Sequence, residues 1–143
     1  MAELVREIVI DATPETIWPF LIEPDKHLEW LGSAAEIDAR PGGVYRVKVE
    51  GRYKSGGEFV EVVPNEKVVF TFGWDEQDHP IPPGSTTVEI TLQPEGDKTR
   101  VRLVHRGLPA DAVDDHGVGW AHYLERLAIV GAGGDAGPDT GPS

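Results

Sequence analysis

The chain has no cysteine among its 143 residues. That excludes disulfides, thiolate metal sites and cysteine nucleophiles together, while saying little about the redox compartment. Positive charge is scarce as well: 13 Lys and Arg face 25 Asp and Glu, for a net charge of −12. Such a surface repels phosphate backbones and anionic lipid, so neither nucleic acid nor a membrane is an expected partner. No apolar run approaches the ~20 residues of a membrane span. The opening MAELVREIVID lacks the basic, apolar and small-residue regions of a secretory signal, and the expected location is the cytoplasm. What is there suffices for one core, since a domain near this size buries roughly 68–70% of its unfolded surface.

The periodicity changes along the chain. LVREIVID places Leu4, Ile8 and Ile10 at even spacing, as in a half-buried strand. In DATPETIWPFL the spacing turns helical, with Thr13 as N-cap, Pro14 at the first helical position and Ile17, Phe20 and Leu21 on one face. Pro19 removes a hydrogen bond there and predicts a short or kinked helix. PDKHLEWL predicts a second small helix. Six strand-like runs follow: SAAEIDA, VYRVKVEG, GEFVEVV, KVVFTFGW, STTVEITLQ and TRVRLVHRG. They are separated by PGG, KSGG, PNE, DEQDHPIPPG and PEGDK, which are breaks of the kind that join antiparallel strands. A long helix is predicted from about Asp114 to Val130, led by Asp111, Asp114 and Asp115. This order gives an α+β domain over residues 1–130, with the long helix covering one face of the sheet. Residues 131–143, GAGGDAGPDTGPS, are expected to be a disordered, dispensable tail.

Histidine is the residue through which metal chemistry could enter. His116 and His122 lie about 240° apart around a helix and cannot share a metal, which needs two histidines four residues apart. His116 falls on the apolar stripe with Val113, Trp120, Tyr123 and Leu127, whereas His122 projects near Glu125 and Arg126 toward solvent. His105 alternates with Val101 and Leu103 and so faces inward. Its plainer reading is a satisfied core histidine, the sharper one a polar group facing a ligand. His27 and His79 stand alone. The tail contains Gly131, Gly133 and Ala136 in dinucleotide-binding spacing, but that motif works between a strand and a helix, not after one. No metal and no cofactor are expected.

The glycines of HGVGWAHYLERL are more informative, because each costs about 0.8–1 kcal/mol relative to alanine inside a helix. Gly117 and Gly119 sit on either shoulder of the apolar stripe, where glycine either lets the sheet approach closely or leaves room beside Trp120. Small-molecule sites are apolar hollows with a few polar groups, usually of about 300–1,000 Å³. Candidate lining groups from the helix are His116, Gly119, Trp120 and Tyr123. From the strands come Phe70, Phe72, Trp74, Leu103 and His105, and from the second helix Trp30.

IDATPETIWPFL, HLEWLG, RPGG, FVEVVPNEKVVFTFGW, the STTVEITLQPEGDKTRVRLVHRGL hairpin and the ending GWxxxLxxL (Gly119, Trp120, Leu124, Leu127) resemble a known family in order and spacing. Over about residues 4 to 130 the chain is similar to the bacterial homologues of the activator of the heat-shock-protein-90 ATPase, in the START-like (SRPBCC, birch-pollen-allergen-like) superfamily. The resemblance implies a helix-grip fold: a curved antiparallel sheet of about six or seven strands around a long C-terminal helix, two short helices after strand 1, and a cavity between sheet and helix. The expected function is binding of a small apolar or aromatic molecule without catalysis. Two alternatives stand beside it. One is a polyketide cyclase or aromatase, with His105 or His116 shifting protons. The other is a co-chaperone-like module that contacts a chaperone or a second copy of itself.

Overall fold

Seven strands run antiparallel in the order β1-β7-β6-β5-β4-β3-β2. The computed structural model describes residues 2–49, 53–75 and 81–137. Along the chain, β1 (Ala2–Ile10) leads into α1 (Pro14–Ile22) and α2 (Pro24–His27). Then come β2 (Ala34–Ile37), β3 (Val44–Val49), β4 (Tyr53–Val63), β5 (Lys67–Phe72), β6 (Thr86–Glu95) and β7 (Lys98–Leu108). A 3-10 turn, Ala110–Ala112, delivers the chain to α3 (Val113–Gly131). The strands from β2 onward form a meander, and the first strand closes it by pairing with the last. This is the helix-grip architecture. Among the described residues no helix is long and apolar enough to cross a membrane.

Alternation decides which face is buried. In β6, Thr86, Val88, Ile90 and Leu92 are buried while Thr87, Glu89 and Thr91 turn outward. The register sets Val88 opposite His105, Ile90 opposite Leu103 and Leu92 opposite Val101, so two strands present one apolar surface. A one-residue slip would reverse every side chain. Helix α3 lays Trp120, Tyr123, Leu124, Leu127 and Val130 into this surface, and α1 adds Ile17, Trp18, Phe20 and Leu21. Pro19 lies inside α1, which is nine residues long, as expected of a helix containing it.

The structure departs from the sequence expectations in four places. Residues 54–57, KSGG, are not a break between strands but part of β4. A Cβ on Gly57 would overlap the Thr71 carbonyl, so glycine here permits a close approach to β5 rather than a turn. α2 is only four residues long, with Leu28, Glu29 and Trp30 in the following turn. Arg126, expected in solvent, is buried. It donates through Nε to Trp30 O at 3.0 Å and through its Nη atoms to Glu29 O, Ala136 O and Gly137 O. The long stem and forked donors let it reach backbone on two sides. Gly131, assigned to the tail, ends α3, and Ala136 packs against the core. The expected tail is thus held at residues 136 and 137, while 138–143 and His79 lie outside the described residues.

Candidate functional site

A cavity of about 210 Å³ lies between β3, β4, β5 and the first three turns of α3. Its wall consists of Leu31, Val49, Ser55, Phe72, Trp74, Asp115, His116, Gly119, Trp120 and Tyr123. Asp115 is exposed and Trp120 buried, which orients the hollow from rim to floor. It is smaller than the usual range but has room for one substituted aromatic ring, since a hollow of about 150 Å³ takes benzene. Gly119 opens it, because a Cβ built there meets nothing within 4 Å. A larger polar depression, about 960 Å³, lies over Arg46, Lys48, Lys54, Glu58 and Thr71. Among the described residues its lining includes no aromatic side chain.

Two tryptophan–histidine pairs frame the aromatic side. Trp120 Nε1–H donates to His105 Nδ1 at 3.1 Å. Thr86 Oγ1 donates to Phe72 O at 2.7 Å, so at 2.8 Å its oxygen accepts the proton on His105 Nε2. His105 is therefore the Nε2–H tautomer with both nitrogens engaged. Burial, and secondarily the neighbouring His116, push its pKa down to about 3. The second pair has the opposite tautomer. Trp74 Nε1–H donates to His116 Nε2 at 3.1 Å, and His116 Nδ1–H donates to Ala112 O at 2.9 Å. The two imidazoles meet edge to face at 5.6 Å, and Phe72 stands edge-on to both Trp74 and His105.

Of the ten residues singled out from sequence, the structure brings six to the cavity wall: Phe72, Trp74, His116, Gly119, Trp120 and Tyr123. The other four lie behind it. Trp30 is buried and donates to Phe20 O at 2.8 Å. Phe70 stacks on Tyr45 with centroids 4.0 Å apart, Leu103 is core, and His105 supports Trp120 from beneath. Sequence reasoning missed Leu31, Val49, Ser55 and Asp115. Val49 follows the inward alternation of β3 and Ser55 that of β4, the latter a signal obscured where KSGG was read as a break.

Sequence reasoning also missed a buried polar pair. His27 Nδ1–H donates to Leu31 O at 3.0 Å, so its Nε2, also at 3.0 Å, accepts the Tyr45 hydroxyl proton. Burial pushes the His27 pKa down to about 4 and that of Tyr45 upward. Among the described residues no group of three or more His, Cys, Asp or Glu could hold a metal ion.

The family model for "Activator of Hsp90 ATPase homolog 1-like protein" matches residues 11–131. The chain belongs to that family. Among solved structures, the AHSA1-like protein of Rhizobium etli is 42% identical, with 97% of this chain and 87% of that one covered and a TM-score of 0.77. The Aha1 dimer from Colwellia psychrerythraea is 20% identical over 94% of this chain and 98% of that one, at a TM-score of 0.80. DynU16, a protein of the dynemicin biosynthetic locus, is 19% identical over 94% of this chain and 49% of that one, also at 0.80. With the last two the likeness is one of fold. No curated protein matches the chain. Family membership does not select a reaction, because a fold hosts many functions.

Proposed function

We propose that this member of the Activator of Hsp90 ATPase homolog family is a cytoplasmic binding protein that holds a small apolar or aromatic molecule between its sheet and α3. The observation that carries the reading is open space at Gly119 beside the rings of Phe72, Trp74, Trp120 and Tyr123. Glycine at this position costs the helix about 0.8–1 kcal/mol of propensity, and ligand binding in the space it leaves would offset that cost. Catalysis is disfavoured by the histidines themselves. A general base needs a nitrogen within reach of substrate, yet His105 lies behind the wall and its two nitrogens, like those of His116, already hold Thr86, Trp120, Trp74 and Ala112.

Indole is a suitable probe, being aromatic and close to the cavity in size. Titrated into the protein, it is expected to shift the indole N–H resonances of Trp74 and Trp120 and to saturate. No shift at any soluble concentration would refute the reading.

A second reading, contact with a chaperone or a second copy, is favoured by the family description and by the dimer described for the Colwellia protein. Light scattering at micromolar concentration tests self-association, and the rate of a heat-shock-protein-90 ATPase with and without this chain tests the other.

A further inference from the structure

The polar groups of the cavity wall are unevenly distributed. Four of its hydrogen-bond donors are engaged: Trp74 Nε1–H on His116, His116 Nδ1–H on Ala112 O, Trp120 Nε1–H on His105, and Ser55 Oγ–H on Val47 O at 2.8 Å. Among the described residues, none in the wall is Lys or Arg. What the wall offers instead is electron density: the Ser55 oxygen lone pairs, the aromatic rings and, at the exposed rim, the Asp115 carboxylate. A ring face attracts a cation through its quadrupole, and an aromatic cage closed by a carboxylate is how alkylammonium groups are recognised. An anionic head would meet like charge at the Asp115 rim. The net charge of −12 acts in the same sense at long range, raising the local concentration of cations.

Resting on the reading that the cavity takes a ligand, we propose that the ligand is an organic cation: one aromatic or branched apolar group bearing an ammonium, with the charge near Asp115 and the apolar body against Trp120. The volume limits that body to about one ring.

Two isosteres and an anion separate charge from shape. Phenyltrimethylammonium and tert-butylbenzene differ by one positive charge, and 3-phenylpropionate reverses its sign. With the full chain at low salt, phenyltrimethylammonium is expected to bind about tenfold tighter than tert-butylbenzene, and the anion weakest. Asp115→Asn is expected to cost the cation about five- to tenfold while leaving the neutral ligand within about twofold, and Asp115→Glu to restore most of the loss. Asp115 is exposed in the first turn of α3, so these variants should fold, which a melting curve checks. If tert-butylbenzene binds as tightly as the cation, or Asp115→Asn weakens both alike, charge recognition is wrong while the cavity stands. If neither isostere binds, the cavity reading falls and this one with it.

Discussion

Gly119→Leu is the substitution that most directly asks whether the space beneath α3 is real. In an ordinary packed core, adding four carbons forces off-rotamer side chains and costs roughly 1–3 kcal/mol. Here a Cβ on Gly119 meets nothing within 4 Å, and the side chain would enter a hollow of about 210 Å³. The helix gains about 0.7–1 kcal/mol, because leucine is close to alanine in propensity. Burial adds part of the roughly 1.5–3 kcal/mol that a leucine yields when fully covered. The expected sum is a stabilisation of about 1–3 kcal/mol, raising Tm by roughly 3–10 °C for a chain of this size, together with loss of indole binding. Gly119→Ala separates the two contributions, since it supplies propensity and fills little. Gly117→Ala is the internal control. Its Cβ would overlap the Arg6 guanidinium and come within 3.3 Å of Leu4, so the propensity gain is offset and the net effect stays within about 1 kcal/mol of zero. Urea unfolding and indole titration of the three variants decide. A Gly119→Leu protein destabilised by 1 kcal/mol or more, with no indole binding in either form, would refute the reasoning.

Trp120→Ala removes a buried ring and the donor to His105 Nδ1, and is expected to cost about 3–5 kcal/mol in urea unfolding; a loss under about 1 kcal/mol would show the ring poorly packed. Tyr45→Phe leaves His27 Nε2 buried without its donor, for an expected loss of about 1–3 kcal/mol. Both His27 and His105 have folded pKa values below the unfolded value of about 6.5, so the unfolded chain takes up protons first. Stability is therefore complete above about pH 6.5 and is lost as pH falls toward 4 for His27 and toward 3 for His105, with about 3 kcal/mol at stake for His27 alone. Unfolding free energies at pH 7, 6 and 5 check this, and a flat profile would contradict it. A chain ending after Gly131 loses the Ala136 and Gly137 carbonyls that Arg126 holds and is expected to melt a few degrees lower, by about 1–2 kcal/mol; an unchanged Tm would return the segment to a dispensable tail.

The fold was legible wherever one physical signal dominated. Alternation in β6 and β7 and helical spacing from Val113 to Val130 identify their elements without help, because each buries one face and exposes the other. Legibility failed where a residue type has two uses. Gly56 and Gly57 read as a turn because glycine usually punctuates, yet here they let strands approach. Arg126 read as solvated because arginine usually is, and no local pattern announces carbonyls from the turn after α2 and residues 136–137 converging on one guanidinium. His27 and Tyr45 are 18 residues apart, and nothing in either neighbourhood marks them as a pair. The site followed the same rule. Residues on α3 and β5 were found through their periodicity, whereas Ser55 and Asp115 reach the wall through a strand misread as a loop and a helix start read only as a cap.

His105 shows why position on an element does not settle a role. Its inward alternation with Val101 and Leu103 is correct, and it lies 5.6 Å from His116, yet it does not line the hollow. The reason is the floor. Trp120 covers it, and the buried indole N–H needs an acceptor, which it finds behind the wall. His105 supplies that acceptor only as the Nε2–H tautomer, and Thr86 fixes that tautomer by giving its own proton to Phe72 O. The series Trp120, His105, Thr86, Phe72 thus runs in one direction and ends on a β5 carbonyl beside the cavity. Thr86→Val keeps the shape of the side chain but removes the acceptor for Nε2–H, stranding a buried donor. The ring can then flip or change tautomer, and Trp120 loses its fixed orientation. A role confined to stability predicts a loss of about 1–3 kcal/mol with indole affinity intact. A role in shaping the site predicts that the same variant also weakens indole binding and shifts the Trp120 indole N–H resonance, although Thr86 never touches the ligand. Affinity and resonance both unchanged would mean that the series holds the core together and nothing more.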